Sequence, residues 1–233
     1  MSSELKYWYI RNHKLFRNLS ISEVNQLCIV TRFKHGKKSE TIEFELTEKP
    51  RIYFLKKGTL KLVHIDDNGD EIVKDLLHKG DLFGELDFAD TETLDYEYVK
   101  VLSYDAIICT FYREDLELLM LQKPEFALSY IKFIGFNFKK VKNSYTNIFF
   151  KDARSRLLLF LQLLIDREEI KTTNNKLPNY LTQKDIAQLI CTTRQTVINL
   201  FNDMEKEGLL RYSHKEMVIL DFEKIKNLAE NVK

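Results

Sequence analysis

Residues 181–200 read LTQKDIAQLICTTRQTVINL, a stretch that holds two short amphipathic segments separated by a few polar residues. Thr182 is a good N-cap for the first segment, and Asp185 lies three residues later, at the positive end of the helix dipole. Thr192 or Thr193 is placed to cap the second segment. Two capped helices joined by so short a turn predict a helix-turn-helix.

The apolar positions of this stretch indicate which sides of the two helices are buried. They recur at the spacing of a helix with one apolar side, and the small Ala187 lies where a second helix would cross closely. The side chains that we expect inside are Ile186, Ala187, Leu189, Ile190, Val197, Leu200 and Met204.

The start of the second helix carries the side-chain types that read base edges in the major groove. Arg194 can offer two donors to guanine, while Gln195 or Asn199 can pair with adenine, and one such pair discriminates between bases by about 1–3 kcal/mol. The predicted base-reading residues are Arg194, Gln195, Ile198 and Asn199. Hydroxyl and ammonium groups nearby suit phosphate oxygens. The predicted contacts to the DNA backbone are Thr182, Lys184, Thr193, Thr196, Ser213 and Lys215.

The segments around this stretch complete a compact domain. Residues 153–166 predict a helix, and the polar residues 172–179, which include Pro178, predict a surface loop. Beyond Gly208, residues 209–212 and 217–220 predict a small hairpin whose tip would hold Lys215 near the DNA backbone. A trailing hairpin is typical of a winged helix-turn-helix. The alternative is an ordinary pair of helices with polar surface residues.

Residues 33–111 predict a series of short strands broken by turns. Residues 59–65 and 71–77 flank the sequence DDNGD, a strong turn because Asn and Gly tolerate positive φ values. Residues 96–102 and 106–112 supply further strands. Many short strands at this spacing predict an antiparallel sandwich or roll.

A heptad pattern follows Pro124, which can open a helix at its first turn. Apolar residues recur at alternating four- and three-residue steps, the pattern by which two helices pack together. The predicted dimer seam is Ala127, Ile131, Ile134, Phe138, Val141, Tyr145 and Ile148. A neighbouring face with Phe126, Tyr130 and Phe133 would pack on the β-domain. The alternative is a single amphipathic helix that lies on its own domain's core.

The composition narrows the class of protein. Apolar residues make up 44% and charged residues 30%, and the net charge of +1 means that an argument for DNA binding depends on local pattern. No apolar run approaches the roughly 20 residues that span a bilayer, and residues 1–10 lack the apolar core of a secretory signal. We therefore expect a cytoplasmic protein without membrane contact.

Scattered cysteines and histidines predict no metal site, and the absence of a phosphate loop or a nucleophile–base pair predicts no enzyme.

Together these features resemble the catabolite activator protein/fumarate–nitrate regulator (CRP/FNR) family of transcription factors along nearly the whole chain. The shared motifs are Lys57-Gly58 before a strand, Asn68-Gly69 in a hairpin, GDLFGEL at residues 80–86, Asp152 at the hinge and TRQTV at residues 193–197. The resemblance implies an α+β multidomain fold. Residues 1–122 would form an antiparallel β-roll, a jelly roll like a cyclic-nucleotide-binding domain. Residues 123–150 would form the dimerisation helix, and residues 151–233 the winged helix-turn-helix.

The resemblance also implies a homodimer on a roughly palindromic DNA site, with half-sites about one helical turn apart. Inside the DNA reader, the sequence departs from the family at two positions. Cys191 stands where glycine usually supplies a left-handed conformation, which predicts mild backbone strain. Asn199 replaces a second arginine, so we expect a different half-site, with adenine facing Asn199 or Gln195.

The ligand pocket implied by the family is also altered. Members that bind cyclic AMP follow the Gly-Glu-Leu segment with an Arg-Ser pair that holds the phosphate, whereas this chain has LDYE at residues 94–97. Two carboxylates repel a phosphate, which predicts weak or no binding of cyclic AMP. The predicted effector pocket is Gly84, Glu85, Leu86, Asp95, Tyr96 and Val141. No cofactor is predicted, and because no cysteine precedes Cys28 we expect no N-terminal iron–sulfur cluster.

The sequence is thus interpreted as a homodimeric, non-enzymatic DNA-binding regulator whose β-roll senses an unidentified signal. The signal would re-aim the two readers through the seam near Val141 and the hinge near Asp152. One alternative is a DNA binder that needs no ligand. Another is a cyclic-nucleotide-binding regulatory subunit of a partner enzyme. RNA polymerase is a further candidate partner.

Overall fold

Strand β3 (Arg51–Lys57) alternates its side chains between two separate apolar cores. Ile52 and Phe54 belong to one core, whereas Tyr53 and Leu55 belong to the other. Because successive side chains point to opposite faces, the continuous apolar run at residues 52–55 must be covered on both faces. The computed structural model describes residues 13, 15–20, 22–23, 34–43, 50–84, 97–167, 175–213 and 216–231. It divides the chain into two compact units, Met1–Lys139 and Lys140–Lys233.

The described strands of the first unit pair into two antiparallel sheets. They are β1 (Lys34–Lys37), β2 (Thr41–Glu43), β3, β4 (Leu60–Ile65), β5 (Glu71–Leu77), β6 (Leu82–Gly84), β7 (Glu97–Val101) and β8 (Asp105–Tyr112). The strand order is β1-β8-β3-β6 in one sheet and β2-β7-β4-β5 in the other. One core contains side chains from both sheets, so the unit is a double-layered β-roll, as the sequence predicts.

The turn between β4 and β5 forms where the sequence DDNGD predicts it. Asp66 Oδ1 accepts hydrogen bonds from the backbone N–H groups of Asn68 and Asp70, each at 2.9 Å. The bond from Asp70 is the main reason that the pKa of Asp66 lies below its usual range. Because these bonds are local, the turn can be predicted from the sequence. The predicted return strand at residues 71–77 is confirmed.

Two helices follow the last strand of this unit: α1 (Arg113–Gln122) and α2 (Pro124–Phe150). Leu116 of α1 is buried in the same core as Ile52, and so are Phe126 and Tyr130 of α2. Phe133 packs against that core. The prediction that one face of the long helix packs on the β-domain is therefore confirmed.

Helix α2 leaves a second apolar stripe uncovered. The exposed members of the predicted seam are Ile131, Phe138, Val141, Tyr145 and Ile148. Ala127 is half-buried, and Ile134 packs against the core of its own unit. Ile134 thus departs from the predicted seam because it lies one turn after the buried Tyr130 and over the same core. Within the described ranges, neither α2 nor any other helix is long and apolar enough to cross a membrane.

The second unit contains four further helices and a small sheet among its described residues. They are α3 (Ala153–Arg167), β9 (Lys176–Pro178), α4 (Gln183–Leu189), α5 (Arg194–Lys206), β10 (Leu210–Tyr212), β11 (Glu216–Ile219) and α6 (Phe222–Glu230). The sheet has the order β10-β11-β9 and is antiparallel. Leu161 of α3, Val197 of α5 and Ile225 of α6 are fully buried, so these three helices share an apolar interior.

Three expectations for this unit need correction. The predicted loop at residues 172–179 contains strand β9, in which Leu177 is buried and pairs with Met217. Pro178 is tolerated in β9 because β9 is an edge strand.

In α5 the residue that faces inward is Phe201 rather than the predicted Leu200, because the ring of Phe201 stacks on Tyr212 at 4.3 Å. In α4, Leu189 is only half-buried.

Candidate nucleic-acid interface

A complete capping box begins helix α4. Thr182 Oγ1 accepts from the backbone N–H of Asp185 at 3.1 Å, and Asp185 Oδ2 accepts from the N–H of Thr182 at 2.9 Å. The two bonds satisfy two of the donors that every helix N-terminus leaves open. Asp185 is only 6% exposed, so its carboxylate belongs to the framework of the helix pair. The predicted cap at Thr182 is confirmed.

Thr193, the second of the two candidates, caps helix α5. Its hydroxyl oxygen accepts from the backbone N–H of Thr196 at 3.1 Å, and the two hydroxyls lie 2.8 Å apart. The cap leaves the first turn of α5 open toward solvent. Because the N-terminus of a helix carries a partial positive charge, this turn is suited to an anion such as a phosphate.

The turn between the two helices has the left-handed conformation expected at Cys191, whose φ is 52°. The N–H of Cys191 donates to the carbonyl of Gln188 at 3.1 Å, and the N–H of Thr192 donates to that of Ala187 at 2.8 Å. Ala187 is buried, with 3% of its surface exposed, as expected for a close crossing. These bonds fix the direction in which α5 leaves the turn.

The predicted base-reading side chains lie on the first turns of α5. Arg194, Gln195 and Asn199 are exposed, and Ile198 is half-buried. Gln195 Nε2 donates to Asn199 Oδ1 at 3.1 Å. This contact was not among the predictions, although the spacing of four residues indicates it. The exposed end of α5 therefore presents one guanidinium and one pair of joined carboxamides.

The predicted backbone contacts surround the same helix pair. Thr182, Lys184, Thr193 and Ser213 are exposed, and Thr196 is half-buried. Lys215 lies outside the described residues. No solvent-facing carboxylate interrupts α5 between Arg194 and Asn202, so this part of the helix is free of charges that would repel DNA.

The hairpin of β10 and β11 lies where a wing was predicted. Three of its four strand ends differ from the predicted ends by one residue. Ser213 Oγ accepts from the N–H of Glu216 at 3.1 Å and donates to its carbonyl at 2.7 Å. Asn179 Nδ2 donates to the carbonyl of Ser213 at 2.7 Å. Asn179 thus connects the end of β9 to the start of the wing tip, a role that its position in a polar stretch did not reveal.

Two arginines of α3 hold the helix-turn-helix, and no sequence motif marks either of them. Arg154 Nη2 lies 2.6 Å from Glu207 Oε2, just beyond the end of α5. This hydrogen bond raises the pKa of Arg154 and lowers that of Glu207. Arg156 donates to two backbone carbonyls, that of Ile148 at 2.9 Å and that of Cys191 at 3.1 Å. No local signal marks the contacts with Glu207 and Cys191, because these lie 53 and 35 residues from their arginines.

The predicted hinge residue Asp152 caps the start of α3. Its Oδ1 accepts from the backbone N–H of Ser155 at 2.7 Å. That hydrogen bond is the main reason that the pKa of Asp152 lies below its usual range. Asp152 therefore separates α2 from α3 as an N-cap.

The predicted effector pocket is described only in part. Gly84 ends β6 with φ +91°, and a Cβ atom there would lie 2.7 Å from the carbonyl oxygen of Arg51, so the position requires glycine. Val141 is exposed on α2. Four residues of the prediction lie outside the described residues: Glu85, Leu86, Asp95 and Tyr96. Among the described residues, no three His, Cys, Asp or Glu side chains form a group that could hold a metal ion.

Two family models match the chain, one for each unit. The model of the cyclic nucleotide-binding domain matches residues 33–123, and that of the Crp-like helix-turn-helix domain matches residues 155–228. The first match covers the β-roll and α1, and the second covers the helix pair and the wing.

Individual proteins resemble the chain over most of its length. The global nitrogen regulator of Synechocystis sp. is 25% identical over 78% of this chain and 81% of its own. The cAMP-activated global transcriptional regulator CRP of Haemophilus influenzae is 23% identical over 72% and 75%. A CRP/FNR-family transcriptional regulator from Thermus thermophilus has the same fold, with a TM-score of 0.67, 17% identity and coverage of 87% and 100%. The two matched domains in this order, together with these relatives, show that the chain belongs to the CRP/FNR family of transcription regulators.

Proposed function

We propose that the protein binds a roughly palindromic DNA site as a homodimer and reads it with the first turns of α5. The observation that carries this proposal is the exposure of Arg194, Gln195 and Asn199 at the open end of a helix held by the Thr193 cap. A recognition helix enters the major groove with its N-terminal residues against the base edges. Arg194 is the candidate for guanine, because a guanidinium offers two donors to O6 and N7.

Backbone contacts would fix the register of the helix on the duplex. Thr193 and Thr196 carry short hydroxyls beside the positive end of α5, where phosphate oxygens bind favourably. Lys184 on α4 and the wing tip with Ser213 and Lys215 would reach the neighbouring phosphates. These contacts carry no sequence information, so their loss should weaken binding to every duplex alike.

The apolar stripe of α2 supports a homodimer. Phe138 is 70% exposed and Val141 65%, and the stripe repeats at heptad spacing. A contiguous exposed apolar surface of this kind is typical of a site of association. Pairing two copies of α2 would cover it and would relate two readers by a two-fold axis, which requires half-sites about one helical turn apart.

We further propose that the β-roll responds to a signal other than cyclic AMP, with Gly84, Glu85, Leu86, Asp95, Tyr96 and Val141 as the candidate pocket. A relative is named as cAMP-activated, but residues 94–97 of this chain supply two carboxylates where a cyclic phosphate would bind. One of them, Glu97, pairs with Lys74. Calorimetry with cyclic AMP should therefore detect no binding. Full affinity for the DNA site without any added ligand would favour the ligand-independent alternative.

A regulator of this kind acts on chromosomal DNA, so we propose a cytoplasmic location, no enzymatic activity and RNA polymerase as a partner at promoters. The decisive experiment is selection of bound duplexes from random DNA at moderate salt. Arg194→Ala should lower the preference for guanine at one position of each half-site by about 5- to 150-fold. Arg17→Ala, which changes an exposed arginine of the first unit, is the control and should leave the selected site unchanged. Failure of the unaltered protein to enrich any sequence would refute the proposal.

A further inference from the structure

We propose that Asn199 acts through Gln195, so that the two carboxamides read one adenine together instead of one base each. The inference rests on the proposed function of α5 as the reader. Its basis is the hydrogen bond from Gln195 Nε2 to Asn199 Oδ1 at 3.1 Å between two exposed side chains. Asn199 is a positioning residue in this arrangement, and Gln195 makes the base contact.

The hydrogen-bonding capacity of Gln195 fits this division of roles. A carboxamide has two N–H donors and one oxygen acceptor. The bond to Asn199 uses one N–H. When that is the hydrogen trans to Oε1, the other N–H and Oε1 stay together on one edge of the amide. Adenine presents an acceptor at N7 and a donor at N6 in the major groove. The remaining donor and acceptor of Gln195 match that pair.

The position of the two residues assigns the base contact to Gln195 rather than to Asn199. Gln195 is the second residue of α5, whereas Asn199 lies one turn further from the N-terminus. The N-terminal residues of a recognition helix are the ones that reach base edges. The pairing engages the oxygen of Asn199 and does not use its amide hydrogens, which suit a phosphate oxygen.

Asn199 would strengthen the base contact because it orders the side chain of Gln195 before DNA binds. Holding a flexible side chain in one conformation at an interface costs about 0.5–1.5 kcal/mol. The bond to Asn199 forms within the free helix, so part of this ordering precedes DNA binding. The hydroxyls of Thr193 and Thr196 bond to each other at 2.8 Å.

The test compares base preferences, position by position, after selection from random duplexes by the full-length protein. Gln195→Ala should abolish the adenine preference at one position, a change of about 5- to 150-fold. Asn199→Ala should weaken the preference at that same position by about 2- to 12-fold, the loss expected from an unordered side chain. The double variant should show no further loss at that position beyond Gln195→Ala.

Asn199→Asp separates positioning from direct base reading. Aspartate keeps the oxygen that accepts from Gln195 but loses the donors that Asn199 would need to pair with adenine itself. The adenine preference should therefore survive, although the added negative charge lowers affinity for all duplexes. Asn202→Ala is the matched control, since Asn202 is also exposed on α5 but lies about 10 Å further along the helix than Gln195.

Each result of these selections either supports or overturns the inference about Asn199 and Gln195. A shift at a different base position after Asn199→Ala, loss of the adenine preference in Asn199→Asp, or multiplied effects in the double variant would overturn the inference. These results would leave the proposed function intact, provided that the unaltered protein selects a site and Arg194→Ala alters it. If the unaltered protein selects no site, the proposed function itself fails.

Discussion

Arg156 donates from Nη2 to the backbone carbonyl of Cys191 at 3.1 Å and thereby joins α3 to the turn of the helix-turn-helix. Its Nη1 donates to the carbonyl of Ile148, near the end of α2, at 2.9 Å. One guanidinium thus contacts both the end of the long helix and the turn of the helix-turn-helix. A movement of the last turn of α2 would reach Cys191 through this side chain.

Replacing Arg156 by lysine should loosen the helix-turn-helix. A single ammonium cannot span two carbonyls as a planar fork does, and each lost bond destabilises by about 0.5–1.5 kcal/mol. Hydrogen exchange of the amides in α4 and α5 should become faster in Arg156→Lys and faster still in Arg156→Ala. Arg17→Lys serves as the control. Unchanged protection of these two helices in Arg156→Ala would show that the guanidinium does not hold the turn.

Cys191 should be replaceable by glycine with a gain in stability. A side chain in the left-handed region costs about 1–2 kcal/mol, and glycine loses about 0.5–1 kcal/mol through its greater backbone entropy in the unfolded chain. Cys191 is exposed, so little packing is lost. We expect Cys191→Gly to raise the free energy of unfolding by about 0.5–1 kcal/mol.

The matched variant is Cys191→Val, because a β-branched residue is the least compatible with positive φ. It should lower the free energy of unfolding by about 1 kcal/mol or more. Thermal denaturation followed by circular dichroism measures both changes. Equal stability of the glycine and valine variants would contradict a left-handed backbone at this position.

Two phenylalanines of α2 distinguish the proposed dimer seam from the rest of the helix surface. Phe138 is 70% exposed and Phe136 60%, but two residues along a helix place them on nearly opposite sides. Phe138→Glu should dissociate the homodimer, because it would bury a carboxylate in an apolar seam. Phe136→Glu should leave it intact. Sedimentation at micromolar concentration distinguishes the two, and dissociation by both variants or by neither would place the interface elsewhere.

Local interactions account for what could be read from the sequence. The caps at Thr182 and Thr193 and the turn at Asp66 involve partners within four residues, so a short window contains the whole signal. The left-handed Cys191 was expected from the resemblance to the family, in which glycine usually occupies this position. The heptads of α2 are likewise periodic along a single element.

Long-range pairing accounts for the features that could not be predicted from the sequence. Strand β9 pairs with β11 some 40 residues away, and the polar stretch around it hides the buried Leu177. Arg156 and Cys191 are 35 residues apart. Helical spacing allowed either Leu200 or Phe201 to face inward, and the ring of Tyr212 decides for Phe201. In each case the partner, rather than the local pattern, selects the outcome.

The first unit contains an ion pair that should make its stability depend on pH. Lys123 Nζ lies 2.6 Å from Glu23 Oε1 and 2.7 Å from Oε2. The hydrogen bond from Lys123 is the main cause that lowers the pKa of Glu23 from 4.5 to about 2, and a bond from Ser20 adds to it. The pair joins the segment at Glu23 to the junction between α1 and α2.

Because the pKa of Glu23 is lower in the folded state, the ion pair stabilises the fold above pH 4.5, and this contribution disappears as the pH falls toward 2. Glu23→Gln should therefore be less stable than the unaltered protein at pH 7, by about 0.5–1 kcal/mol for a partly exposed pair, and equally stable near pH 2. Urea denaturation across this range measures the difference. Glu230→Gln, which removes a pair at 4.0 Å on α6, should show no comparable dependence, and a constant difference between Glu23→Gln and the unaltered protein at all pH values would exclude the ion pair as its cause.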